Sequence, residues 1–201
     1  MTLHPGDAPS GIDAGVVEDL FRQLLKALGQ DPDSGDLRDT PRRAAAFWTG
    51  FLAADDDSAD TTFPFSEPAP GSDVVAVSGI DAWTICRHHL LPFHVRVDAA
   101  YVPDGKIIGL SKIPRIVARH AAALQVQETL TRQVAASLQE ATGSPAVGVW
   151  ATGEHLCMLM RGVRATGTRT TTQALLGDAA TDPRTEQRLY NAARHQRTGE
   201  S

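Results

Sequence analysis

The stretch from Asp73 to Leu110 constrains the fold more than any other part of the chain. Here DVVAVSGI, HVRVDAAYVP and KIIGL follow one another, and Asp104-Gly105 separates the last two. Apolar residues at a period near two, rich in Val and Ile and bounded by Gly, Pro and Asp, read as half-buried strands, and an Asp-Gly pair between such runs is a hairpin signal. Neighbouring antiparallel strands are expected. The preceding residues keep a different period. Between Ile12 and Leu28 the residues Val16, Val17, Leu20, Phe21, Leu24, Leu25 and Leu28 recur at helical spacing, and Gly29 suits a helix end. In DTPRRAAAFWTGFLAA, Thr40 is the expected N-cap and Pro41 the first helical residue, with apolar residues running on to Leu52. An acidic, Pro-rich loop from Asp55 to Ser72 separates this helical front from the strands.

Downstream, SKIPRIVARHAAA and LQVQETLTRQVAASLQEAT read as two helices, AVGVWATGEH as a strand, and the Thr-rich TRTTTQALLG as its β companion. The tail from Asp182 is a short charged helix or a frayed end. Helices, a strand pair, two helices and a second strand pair fit an α+β domain, an antiparallel sheet carrying helices on one face. For 201 residues the expected organisation is a disordered leader over 1–11, an N-terminal helical extension and loop over 12–72, and a main domain over 73–201.

Charge and cysteine content narrow the function. A net charge of -5 argues against a surface built to hold nucleic acid or an anionic membrane, so any polyphosphate must meet a local basic cluster. No apolar run approaches the ~20 residues of a membrane helix, and the N-terminus lacks the basic-then-apolar character of a signal peptide. A cytoplasmic protein is expected. In a reducing compartment its two cysteines, Cys86 and Cys157, read as free thiols or metal ligands rather than a disulfide.

In Cys86-Arg87-His88-His89 a thiol and an imidazole stand three positions apart, a separation at which a turn or bent strand end aims both at one ion. His155 and Cys157, two apart in GEHLCM, would point the same way from a strand. Two sulfurs and one nitrogen make a three-ligand tetrahedral zinc site whose fourth position holds water. The same spacing also suits two buried cysteines acting as small apolar residues beside unrelated histidines. In GLSKIPRIV a strand gives way to a helix, with Ser111 near its start and Lys112 and Arg115 three apart on one face. That is a phosphate site or a solvated basic face. In LQVQETL, next to Gln127, the Glu128 carboxylate could accept the N1–H and exocyclic amine of a guanine, or pair with Arg132 one turn on. Arg161, just after Cys157, is a further phosphate candidate or a structural ion-pair partner.

Together these segments resemble GTP cyclohydrolase I from about Asp13 to the end of the chain. The family's C-E-H-H-L-L-P-F stands here as CRHHLLPF, its Y-x-P-D-G-K-x-x-G-L-S-K-x-x-R-I-V as YVPDGKIIGLSKIPRIV, its L-Q-V-Q-E-R-L as LQVQETL, and its H-L-C-M-x-M-R-G-V as HLCMLMRGV. The front matches G-x-D-P…D-T-P-x-R as GQDPDSGDLRDTPRR. The resemblance implies a T-fold domain over 73–201 and ring-shaped homo-oligomers, usually decamers, with sites shared between neighbouring subunits. By matching position it implies Cys86, His89 and Cys157 as ligands of Zn2+, His155 as the proton donor in ring opening, and His88 working near the ribose. Gln127 and Glu128 match the guanine readers, and Ser111, Lys112, Arg115 and Arg161 the triphosphate clamp. The implied reaction adds water at guanine C8 of GTP, releases formate and closes a pterin ring, giving 7,8-dihydroneopterin triphosphate.

Three positions depart from the pattern. Arg87 replaces the family's Glu, Thr129 its Arg, and Glu154 a residue usually apolar. An Arg87–Glu154 ion pair is expected to form a rewired shell around the two histidines. Two other functions are compatible with these motifs. One is a divergent paralogue that stops after purine ring opening or takes an altered purine nucleotide, and the other is a non-catalytic zinc-binding ring protein. A T-fold nitrile reductase would need a free nucleophilic cysteine, and both cysteines are assigned to metal.

Overall fold

The computed structural model describes residues 12–53, 62–64 and 73–194, so the expected leader over 1–11 and most of the loop from Asp55 to Ser72 lie outside the described residues. The chain divides into two compact units after Asp55. The reason is strand β1 (Thr62–Pro64), which pairs antiparallel with β4 (Lys106–Ile108) and so ties its segment to the second unit.

The first unit is a pair of helices, α1 (Ala14–Ala27) and α2 (Thr40–Leu52). Asp13 caps α1, its Oδ1 accepting from the amides of Gly15 at 2.9 Å and Val16 at 3.1 Å. Asp39 takes the N-cap position of α2 and Thr40 is its first helical residue, one position from the expected cap. No α1 residue is buried, and Val16, Leu20, Leu24 and Leu28 form an exposed apolar stripe at a spacing of four.

The second unit is built on five strands in the order β5-β2-β3-β6-β7. These are β2 (Val75–Cys86), β3 (Pro92–Tyr101), β5 (Leu124–Gln125), β6 (Ala146–His155) and β7 (Thr170–Gly177). All neighbours are antiparallel except β5, which joins the end of β2 in parallel over two residues. The odd positions Phe93, Val95, Val97, Ala99 and Tyr101 of β3, with Val147, Val149 and Ala151 of β6, form the main core under α3 (Lys112–Ala121) and α4 (Gln127–Thr142). Alternation in β3 and β6 puts Ala100, Ala146 and Trp150 on the opposite face. There they pack with Leu189 and Ala193 of α7 (Pro183–Arg194) and Ala179 of α6 (Asp178–Thr181).

The α+β class and the antiparallel β2–β3 and β6–β7 pairs follow the sequence expectation. The tail is helical, and it adds a smaller cover on the second sheet face. Two local expectations are corrected. KIIGL does not pair with HVRVDAAYVP through the Asp-Gly turn, because Pro103 cannot donate to a ladder and the chain leaves the sheet there. In LQVQETL, Leu124 and Gln125 are β5, and α4 starts only at Gln127.

Candidate metal centre and active site

The site gathers at the ends of β2, β3 and β6 and the start of α4. Cys86 is the last residue of β2, and its amide donates to the Leu91 carbonyl at 2.8 Å while its carbonyl accepts from Leu90 N at 2.8 Å. That tight loop is possible because Leu90 adopts a left-handed conformation, φ +52°, which costs a non-glycine residue about 1–2 kcal/mol. The loop folds His89 back over Cys86, with Sγ of Cys86 and Nδ1 of His89 3.6 Å apart.

The third member arrives from 71 positions away. β6 ends at His155, and Cys157 sits in the short helix α5 (Leu156–Leu159), not on the same strand as expected. The helical turn swings its Sγ to 4.0 Å from that of Cys86. Both cysteines are free and buried, and their sulfurs are far beyond the ~2.05 Å of a disulfide. The donor atoms of Cys86, His89 and Cys157 all lie within 4.8 Å of one another. A tetrahedral ion bonded to sulfur at about 2.3 Å and nitrogen at about 2.0 Å needs roughly 3.5–3.8 Å between donors, so these residues fit a metal with little movement. Burial, and then the neighbouring Cys86 sulfur, push the Cys157 thiol up. A divalent cation reverses that balance by stabilising both thiolates.

His155 is half-buried beside this cluster. Its ring stacks on Phe93, the residue opposite it in the β3–β6 register, with centroids 4.2 Å apart and planes 9° from parallel. Its Nε2 lies 2.8 Å from Oε1 of Gln127. Burial lowers the His155 pKa, and the nearby Glu128 carboxylate partly offsets it. Gln127 is 1% exposed, and its side chain is a buried partner of His155. Gly153 leaves the room for it, since a Cβ there would lie 2.2 Å from Oε1.

The remaining expected residues fall into two sets. Exposed Glu128 is the second residue of α4, and Arg161 follows α5 closely enough to favour the Cys157 thiolate. Ser111, Lys112 and Arg115 occupy the first turn of α3 and the residue before it, a turn with no acidic side chain. His88 is exposed, its ring edge-on to His89 at 6.3 Å.

A model of the GTP cyclohydrolase I family matches residues 17–194. This chain belongs to that family. Among its relatives is the GTP cyclohydrolase 1 of Alkalilimnicola ehrlichii, 42% identical over 181 residues, or 89% of this chain and 97% of that one. The enzyme of Hyperthermus butylicus is 43% identical over 179 residues, with 89% and 90% covered, and that of Leptospira biflexa is 42% identical over 181, with 89% and 98% covered. Membership in the GTP cyclohydrolase I family carries the α+β fold and a hydrolase function.

One expectation drawn from the departures is overturned. Glu154 does not pair with Arg87. Its Oε1 accepts from Nε of Arg169 at 2.9 Å, because Glu154 and Arg169 flank the same β6–β7 end. Arg87 is exposed and forms no ion pair among the described residues. Sequence reasoning also passed over Phe93, Thr131, Thr172 and Arg169. The first was legible only as part of CRHHLLPF, and the threonines only as strand and helix formers.

Proposed function

We propose that this chain is a zinc-dependent GTP cyclohydrolase I that converts GTP and water to formate and 7,8-dihydroneopterin triphosphate. The observation that carries the reading is the convergence of Cys86, His89 and Cys157 at metal-ligand distances directly beside a buried-side, stacked and hydrogen-bonded His155. Two thiolates and one imidazole favour Zn2+ over harder ions, and a three-ligand set leaves a position open. When bound, zinc supplies Lewis acidity and activates water for attack at neutral pH.

The chain's own residues then divide the work. Glu128, exposed at the start of α4, accepts the N1–H and amino group of guanine. Ser111, Lys112, Arg115 and Arg161 hold the triphosphate through charge-assisted hydrogen bonds, with the positive end of the α3 dipole beside them. His155 transfers protons as the imidazole ring opens, and its stacking on Phe93 keeps the imidazole in one plane. His88, exposed on the loop after β2, serves the later steps at the ribose. We further propose a ring-shaped homo-oligomer, usually a decamer in this family, in the cytoplasm. The uncovered stripe of α1 and the free thiols support these two readings. Among the described residues no helix is long and apolar enough to cross a membrane.

The test is incubation of the zinc-loaded protein with GTP and mass analysis of the products. Dihydroneopterin triphosphate with one formate per turnover is expected, whereas unchanged GTP sinks the reading. Exposed and without an ion pair among the described residues, Arg87 favours a second reading, a paralogue that stops after ring opening or takes an altered purine nucleotide. A product of GTP plus one water that retains the formyl group would select it. Replacing Cys86, His89 or Cys157 by Ala should abolish both zinc binding and turnover, checked by metal analysis of each purified variant.

A further inference from the structure

The hydrogen bonds around Gln127 admit only one polarity. Its Nε2 lies 3.2 Å from the Ala151 carbonyl oxygen, 2.9 Å from that of Thr170 and 3.2 Å from Oγ1 of Thr172. Carbonyls only accept, so the amide nitrogen must face them. Thr131 donates its hydroxyl proton to the Gln127 backbone carbonyl at 2.8 Å. In its 2.7 Å contact with Thr172 it can therefore only accept. Thr172 donates to Thr131 and accepts from the Gln127 amide. The circuit closes on the glutamine where it began. Oε1 is left facing Nε2 of His155 at 2.8 Å, and because a carboxamide oxygen cannot donate, that nitrogen carries a hydrogen.

We infer that Gln127, Thr131 and Thr172 are positioning residues that hold neutral His155 as its Nε2–H tautomer, so that Nδ1 is the nitrogen exchanging protons with the substrate. This rests on the proposed role of His155 in ring opening. Inverting the amide would set Oε1 against two carbonyl oxygens and strand buried groups without partners. The Phe93 stack removes the other freedom, tilting of the ring out of its plane. Gln127 and Thr131 are each 1% exposed, so bulk water does not reach the Thr131 hydroxyl or the Gln127 amide.

The decisive measurement is long-range 1H–15N correlation on zinc-loaded protein labelled at histidine, above neutral pH, with His155 assigned by its loss in His155→Asn. A pyrrole-type shift at Nε2 and a pyridine-type shift at Nδ1 are expected. The reverse pattern overturns the inference. This readout needs no turnover, so an enzyme inactive on GTP would refute the proposed reaction and leave the tautomer assignment standing. For the threonines, Thr131→Val and Thr172→Val should each lower kcat about tenfold with the KM for GTP and the zinc content unchanged, and Thr172→Ser should restore it. Unchanged kcat in both valine variants, or zinc content and KM moving in step with kcat, removes the positioning role of the two hydroxyls.

Discussion

Arg87 and Glu154 show how a single residue's partner is decided by register rather than by charge. Glu154 lies opposite His94 across β3–β6, and its carboxylate is met by Arg169 at the start of the neighbouring strand. Arg87 leaves the sheet with the turn that holds His89. Charge reversals at Arg87 and Glu154 should therefore be additive within ~0.3–0.5 kcal/mol, measured as transition-state free energies from kcat/KM of the two single variants and the double. A larger coupling would mean that the two side chains do meet. The Cys86, His89 and Cys157 cluster was legible beforehand because thiols and imidazoles are rare and chemically distinct. Thr131, Thr172 and Phe93 were not. Threonine in a helix or a strand is ordinary, and Thr172 matters only because the β6–β7 register sets it opposite Ala151, beside Gln127. Phe93 likewise matters only because it faces His155.

At the level of elements, period and capping carried most of the information. β6 and β7 run over the residues that alternation marked, and α3 follows its apolar spacing. What failed was partner choice. Nothing in KIIGL tells a reader that its ladder belongs to Thr62–Pro64 instead of the strand just before it, except the proline that interrupts the run. The α3–α4 contact makes a prediction of its own. His120, on the buried side of α3, has Nε2 2.8 Å from Oγ of Ser137 on α4. Burial first, and then the adjacent Arg119, push its pKa down to about 4. Above pH 6.5 the ring is neutral in both folded and unfolded chains, and its contribution is complete. Between about 6.5 and 4 the unfolded chain takes up a proton that the folded chain refuses, so stability falls as the pH falls, by about 3 kcal/mol in all. Denaturant unfolding of wild type and His120→Asn across this window checks it. The difference between the two slopes should vanish above pH 7 and grow on acidification.

For the whole molecule, the unfinished surface is α1. A helix that buries none of its residues while presenting Val16, Leu20, Leu24 and Leu28 in line gains little from its own chain, and the occupant proposed for this stripe is a second copy. Leu20→Glu with Leu24→Glu should lower the assembly state in light scattering while the isolated subunit keeps its helical and sheet content. Unchanged mass would place the interface elsewhere. The metal centre has a consequence of another kind. Cys86 and Cys157 stand 71 positions apart, and an ion gripping both turns that span of chain into a closed loop. In polymer terms the ion is a reversible cross-link, and closing a loop of that length withdraws about 4 kcal/mol of conformational entropy from the unfolded chain. Chelation should therefore lower the Tm of wild type and leave that of Cys157→Ser unmoved. An ion held by this cluster would also act as a drawstring, and a subunit that lost it would become an easier target for unfolding and proteolysis before its chemistry is ever tested.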